Sequence, residues 1–75
     1  MTVRMREPML TALLMNAQGN LEKAKMNVEI YLESPVGIGE HPDVLAAIQE
    51  QLDVIAENEE RLQVLDKYFT APHHD

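Results

Sequence analysis

The eight residues Ser34–His41, SPVGIGEH, divide the chain in two. They hold Pro35, Gly37 and Gly39, and Pro42 follows at once. A residue before proline avoids the α region, so Pro35 stops a helix that reaches it. Pro42 can open a second helix, because the first turn does not use the N–H that proline lacks. Asp43 then stands near the positive end of that helix's dipole. Pro8 suits the first turn of the earlier helix in the same way. The expected elements are helix 1 near 7–33, a connection over 34–41, helix 2 near 42–69 and a frayed tail over 70–75. At about 1.5 Å per residue, each helix is roughly 40 Å long.

Helix 1 carries Leu10, Leu14, Ala17, Leu21, Ala24, Val28 and Tyr31 at alternating spacings of four and three. That is a heptad seam, the pattern by which one helix packs along another. Helix 2 carries Leu45, Ile48, Leu52 and Ile55 in the same rhythm. It then falters at Asn58 and Glu59 before Leu62, Leu65 and Phe69 resume. Such a slip locally changes supercoiling. Two long helices joined by a short connection become antiparallel neighbours. The expected fold is therefore all-α, a helical hairpin. Gly19 could break helix 1, with Asn20 capping a third helix, since both are turn residues. The seam runs through Gly19 without losing phase, which favours one continuous helix. A glycine there costs about 1 kcal/mol relative to alanine, so it could permit close approach of another backbone.

Length and composition narrow the function. Seventy-five residues make one domain, 1–75, with no room for a two-domain enzyme. The absence of cysteine excludes disulfides, cysteine-based zinc sites and thiol catalysis. An apolar fraction of 45% is too high for a disordered tail. Apolar runs of three or four residues, such as Ala12–Met15, fall far short of the ~20 that span a bilayer. No targeting signal is legible, so the expected compartment is the cytoplasm. Phosphate binding needs clustered cations, and Arg4/Arg6 and Lys23/Lys25 are the only local pairs. Neither free nucleic acid nor a membrane is expected as a partner.

One hairpin leaves apolar surface unspent. Opposite the seam, helix 1 projects Ala12, Met15, Gly19, Met26 and Ile30 as a second stripe. Helix 2 adds Val44, Ala47, Val54 and Leu65 beside its own seam. Small scaffolds seldom gain enough stability from one thin core. The expected remedy is association into a homodimer or larger assembly, with two hairpins forming a four-helix bundle. The Met-rich stripe is the expected contact, because flexible methionines suit such surfaces. The bland alternative is scattered exposed apolar residues, which are normal on any protein.

The formal charge of −7 is concentrated in one half. Residues 1–37 carry four acids and four bases, whereas 38–75 carry nine acids and two bases. Asp43, Glu50, Asp53, Glu57 and Glu60 project opposite the seam of helix 2. A solvated outer face accounts for them most simply. They could also dock a basic protein, or imitate the phosphate array of DNA.

A search for chemistry finds little. Val36-Gly-Ile-Gly-Glu40 has a GxG without the third glycine, preceding strand or Lys-Ser/Thr pair of a phosphate loop. His41, His73 and His74 are the only strong nitrogen ligands for a metal. In an antiparallel hairpin His41 lies at the loop end and His73 roughly 40 Å away near the open end. Neither a metal nor another cofactor is expected. Glu29/Glu33 and Glu50/Asp53 share helix faces, as acids on most solvated helices do. No Glu-x-x-His pair of the di-iron bundles occurs. No catalytic residue is assigned, and an enzyme is not expected. Asn58 either lies at the edge of the seam or occupies it, fixing register at a cost in stability.

The stretches NAQGNLEKAKMNVEIYL (16–32), VGIGEHPDVLAAIQEQLDVIA (36–56) and LDKYF (65–69) resemble small helical proteins of marine tailed phages, especially myophages of cyanobacteria. The resemblance covers most of the chain. It implies a phage-like origin and an accessory role, with no activity to carry over. Ala12-Leu13 and Gly19–Ala24 are similar to ubiquitin-associated-type three-helix domains. There the helix ends near an aromatic-Leu pair, but here Asn27-Val28 stands at that place and the seam continues to Tyr31. The expectation is a non-enzymatic structural or interaction protein. The runner-up is an acidic regulator of a basic partner, and a ligand module between protomers is a third class.

Overall fold

The computed structural model describes residues 5–33 and 43–70, with side chains of 5–33 and 43–69. Helix α1 spans Arg6–Glu33 and helix α2 spans Val44–Leu65. A π-helical turn, Asp66–Thr70, prolongs α2 without a break. The helices pack against each other, and no strand occurs among the described residues. The connection expected over 34–41 and the tail beyond Thr70 lie outside the described residues.

The helix ends follow from local chemistry. Met9 N–H donates to Met5 O at 3.0 Å, which starts α1 one residue before the expected boundary. Asp43 is the N-cap of α2 rather than a residue of its first turn. Its backbone is extended (φ −101°, ψ 92°) and its Oδ1 accepts from Ala46 N–H at 3.0 Å. That bond satisfies one of the orphan donors of the first turn. Replacing Asp43 with Ala should cost about 1 kcal/mol. A melt followed by circular dichroism should then drop by roughly 4–8 °C, whereas Asp43→Asn should hold close to the native midpoint. At the far end, Asp66 N–H is shared between the Leu62 and Gln63 carbonyls, a bifurcated bond common where helices change pitch.

Gly19 lies inside α1, which runs through it unbroken. A Cβ built there meets nothing within 4 Å. The close backbone approach that its absence of side chain would permit is therefore not made among the described residues.

Side-chain hydrogen bonds fix the pairing of the helices. Asn20 Nδ2 donates to Asn58 Oδ1 at 3.3 Å, and Asn27 Nδ2 donates to Gln51 Oε1 at 3.1 Å. Seven residues forward on α1 correspond to seven residues back on α2, so the helices are antiparallel and in register. The same register sets Tyr31 level with Ala47, and Ala24 level with Val54. At the open end, Arg6 Nη2 donates to Phe69 O at 2.8 Å, tying the start of α1 to the π turn. A cation there also meets the negative end of α2's dipole. The ion pairs Arg6–Glu7, Lys25–Glu22 and Arg61–Glu57 each join neighbours on one helix and are exposed. Pairs of that kind contribute little, about 0–1 kcal/mol each.

The seam of α1 is the expected one. Ala17 and Ala24 are buried, while Leu10, Leu14, Leu21, Val28 and Tyr31 are half-buried. The seam of α2 is not. Leu45 is 73% exposed and Leu52 is 49% exposed, so neither belongs to it. The inward row is Val44, Ile48, Gln51, Ile55, Asn58, Leu62 and Leu65, with buried Ala47 beside it. Its spacing alternates four and three throughout. There is no slip at Asn58: the asparagine occupies a seam position, is 2% exposed and is the largest fully buried side chain. Two polar residues stand where a heptad calls for apolar ones. They are tolerated because their amides are bonded, Asn58 through Nδ2 to Val54 O at 2.8 Å and through Oδ1 to Asn20.

Candidate interaction surfaces

The bonds between helices make the hairpin two-sided. Asn16, Asn20 and Asn27 recur on one edge of α1, and Asn20 Nδ2 also reaches Asn16 Oδ1 at 3.2 Å. With Gln51 and Asn58 they form a ladder of amides along one flank. The buried alanines adjoin this flank, because small side chains let the backbones come together there. The flank is grooved. Toward the open end, a groove of about 390 Å³ runs over Leu13 and Ala17 on α1, between Asn16 and α2's Glu57, Glu60, Arg61, Val64 and Leu65. A second depression follows toward the loop end, floored by Ala24 and edged by Asn20, Lys23, Asn27, Gln51 and Val54.

The opposite flank carries the large aliphatic side chains. By helical spacing, Leu14, Leu21 and Val28 of α1 and Ile48, Ile55 and Leu62 of α2 lean toward it, each half-buried. Leu32, Leu45 and Leu52 extend it outward and are exposed. Sequence reasoning placed Leu45 and Leu52 inside the hairpin and so missed this surface. It also missed Asn20, Asn27 and Gln51. The legible signal was the second heptad frame in helix 2, the row that takes in Gln51 and Asn58.

The sequence-derived candidates fall on other faces. Ala12, Met15, Gly19, Met26 and Ile30 are all exposed, on the side of α1 turned away from α2. Asp43, Glu50, Asp53, Glu57 and Glu60 are likewise exposed. Glu57 Oε2 pairs with Arg61 Nη2 at 3.1 Å, and Glu57 and Glu60 wall the groove at Ala17. At the open end Tyr68 and Phe69 are both exposed, with ring centroids 6.2 Å apart. Lys67 Nζ lies 5.2 Å from the Tyr68 ring centre, a cation–π contact at an exposed site.

Among the described residues, no group of three or more His, Asp or Glu is placed to hold a metal. His41, His73, His74 and the GxG of 36–40 lie outside the described residues. No described helix is long and apolar enough to cross a membrane. No family model, curated protein or solved structure matches the chain. The fold and its surfaces define a two-helix hairpin with one amide-bridged flank and one open aliphatic flank.

Proposed function

We propose that this chain is a non-enzymatic structural or interaction protein whose working form is a self-associated helical hairpin, a homodimer in the simplest case. One observation carries the reading. The fully buried positions are small or polar, namely Ala17, Ala24, Ala47 and Asn58. Thirteen large apolar residues of the described chain remain 36–73% exposed. A lone hairpin of this kind buries no large hydrophobic side chain completely, whereas a stable domain of this size needs such burial. Association supplies it, as in four-helix bundles. Light scattering coupled to size exclusion, over a tenfold dilution, tests this directly. The expected mass is at least twice the 8.5 kDa of one chain, and a folded 8.5 kDa species at every concentration overturns the reading.

A second reading has its own support. Glu57 and Glu60 wall the groove whose floor is Leu13 and Ala17, and Arg61 beside them is paired with Glu57, so the carboxylate of Glu60 and an apolar slot lie together. A basic protein could dock there, with the acidic residues Asp43, Glu50 and Asp53 of α2 extending the attraction. Binding of that kind weakens within a few hundred millimolar salt, while apolar self-association persists. The setting we propose for either role is the cytoplasm, in keeping with a chain that has no cysteine and so no need of oxidising conditions.

A further inference from the structure

We infer that α2 has a second position against α1, turned about its own axis by roughly 50°, in which α1 covers Leu45 and Leu52. The turn decides whether these two leucines face water. It takes place within one chain and does not depend on self-association.

Three observations carry it. First, α2 has two sets of seam positions around one shared row. Ile48, Ile55 and Leu62 form that row and are half-buried. On one side of it stand Val44, Gln51, Asn58 and Leu65, which complete the present seam. On the other side stand Leu45, Leu52 and Glu59. Consecutive residues such as 51 and 52 are about 100° apart round a helix, so exchanging one set for the other takes half that angle. The shared row stays between the helices throughout.

Second, the set in use is the more polar one, and the leucines of the other set are exposed. Asn58 is 2% exposed, against 73% for Leu45 and 49% for Leu52. The bridges from Asn20 to Asn58 and from Asn27 to Gln51 hold the present position. Turning α2 returns Asn58 and Gln51 to water, which satisfies their amides, and brings two leucines under cover. Glu59 opposes the turn, because it follows the leucines into the seam. At a half-buried position its stem can lie along the contact while the carboxylate reaches water. Amide bridges with exposed leucines are thus set against covered leucines with an inward glutamate, two packings of one sequence.

Third, the closest contacts between the helices are small. The buried apolar residues are Ala17 and Ala24 on α1 and Ala47 on α2. A helix can turn over such side chains without unthreading a large one from a tight pocket. The described ion pairs each join residues of one helix, so none of them tethers α2 to α1. At the open end Arg6 holds the Phe69 carbonyl of the π turn rather than α2 itself. A π turn is a local irregularity in winding, of the kind that marks moving parts of helices.

Relaxation dispersion by NMR tests the wild-type chain. Exchange between the two positions should broaden the Leu45 and Leu52 methyls and the Gln51 and Asn58 side-chain amides on the microsecond-to-millisecond scale of collective helix motions. The methyls of Met15 and Met26, on the outer side of α1, should stay flat. A tenfold dilution should leave the exchange unchanged, because it is unimolecular. Leu52→Lys should abolish it, since the turned position would bury a lysine, while the present position leaves residue 52 exposed. Glu59→Leu should reverse the preference. Through-space proton contacts between the Asn20 and Asn58 side chains should be lost, and new ones should join Leu52 to Ala24. Flat profiles in the wild type, or exchange that vanishes on dilution, overturn the inference. So does a helical Glu59→Leu chain that keeps the contact between Asn20 and Asn58. Should Glu59→Leu lose helix, the wild-type and Leu52→Lys profiles decide alone. The mass from light scattering is a separate readout, so self-association stands or falls apart from the turn.

Discussion

Replacing Asn58 with Asp should destabilise the hairpin by about 3 kcal/mol at pH 7 and by little near pH 3. The side chain is 2% exposed. Its Nδ2 donates to Val54 O at 2.8 Å, and its Oδ1 accepts from Asn20. A carboxylate keeps the acceptor that Asn20 uses but turns a donor toward the Val54 carbonyl into a second acceptor. Two oxygens then face each other at hydrogen-bond distance, one of them charged and out of water. Burial and a nearby carbonyl both disfavour the ionised form, so the folded pKa rises above the ordinary ~3.9. The sign follows. Below the unfolded pKa the introduced group is protonated in both states, and its O–H can donate to Val54 O as the amide did. As pH rises, the unfolded chain ionises first and the folded state loses ground. The loss levels off only above the raised folded pKa. Thermal melts of variant and wild type, compared at pH 3 and pH 7, measure it. A difference in midpoint that is equal at both values would show that Asn58 is not desolvated as described. Three kilocalories is a large share of the stability of a domain this size, so much of the variant should be unfolded at neutral pH.

Asn58→Leu separates stability from specificity. Leucine suits a seam position and removes the cost of burying an amide, so the hairpin should keep or gain stability. What it loses is the bond to Asn20 that distinguishes this register from one shifted by a heptad. The amides at Asn58 and Gln51 lie one heptad apart, and both are met by asparagines one heptad apart on α1. A shift by seven would strand an amide at each end of the ladder.

Much of the fold was legible because helices, a break and a heptad are local features. Pro35, Gly37, Gly39 and Pro42 mark the break, and the row from Leu10 to Tyr31 gives α1 its packed face whatever stands opposite. Helix 2 was ambiguous for a physical reason. Ile48, Ile55 and Leu62 fit two heptad frames at once, one with Leu45 and Leu52, the other with Val44, Gln51, Asn58 and Leu65. Hydrophobicity alone chooses the first. The structure takes the second, because Gln51 and Asn58 meet asparagines on α1 while Ala17 and Ala24 leave room for them. That match depends on both helices together, and no periodicity within α2 reveals it. The candidate surface shifted for the same reason: leucines excluded from the seam became the open flank. The stripe from Ala12 to Ile30 was legible as outward-facing, since it depends only on α1. The polar bridges were not, because Asn16, Asn20 and Asn27 read as ordinary solvated residues until α2 is placed against them.

The alanines make the second large effect. Ala24→Leu should destabilise the hairpin by about 2 kcal/mol, whereas Ala12→Leu on the same helix should change it by less than ~0.5 kcal/mol. Both substitutions add the same three carbons and barely alter helix propensity. They differ in surroundings. Ala24 is 1% exposed, on the line where α1 meets α2 and level with Val54, whereas Ala12 faces away from α2. A leucine at 24 must either leave its preferred rotamers or push the helices apart. Separation would lengthen the bridges from Asn20 to Asn58 and from Asn27 to Gln51, which stand at 3.3 and 3.1 Å. Neither has slack, since interactions beyond about 3.5 Å contribute little. Asn58 would then be desolvated without its partner, and part of the 2 kcal/mol comes from there. Denaturant titration followed by helix content at one fixed protein concentration measures both variants. If Ala24→Leu proves as mild as Ala12→Leu, the helices are not in contact along Ala17 and Ala24, and the amide ladder cannot hold them in register. If it is the severe one, close approach through small residues holds the two helices together, and the large aliphatic residues are left free to face another surface.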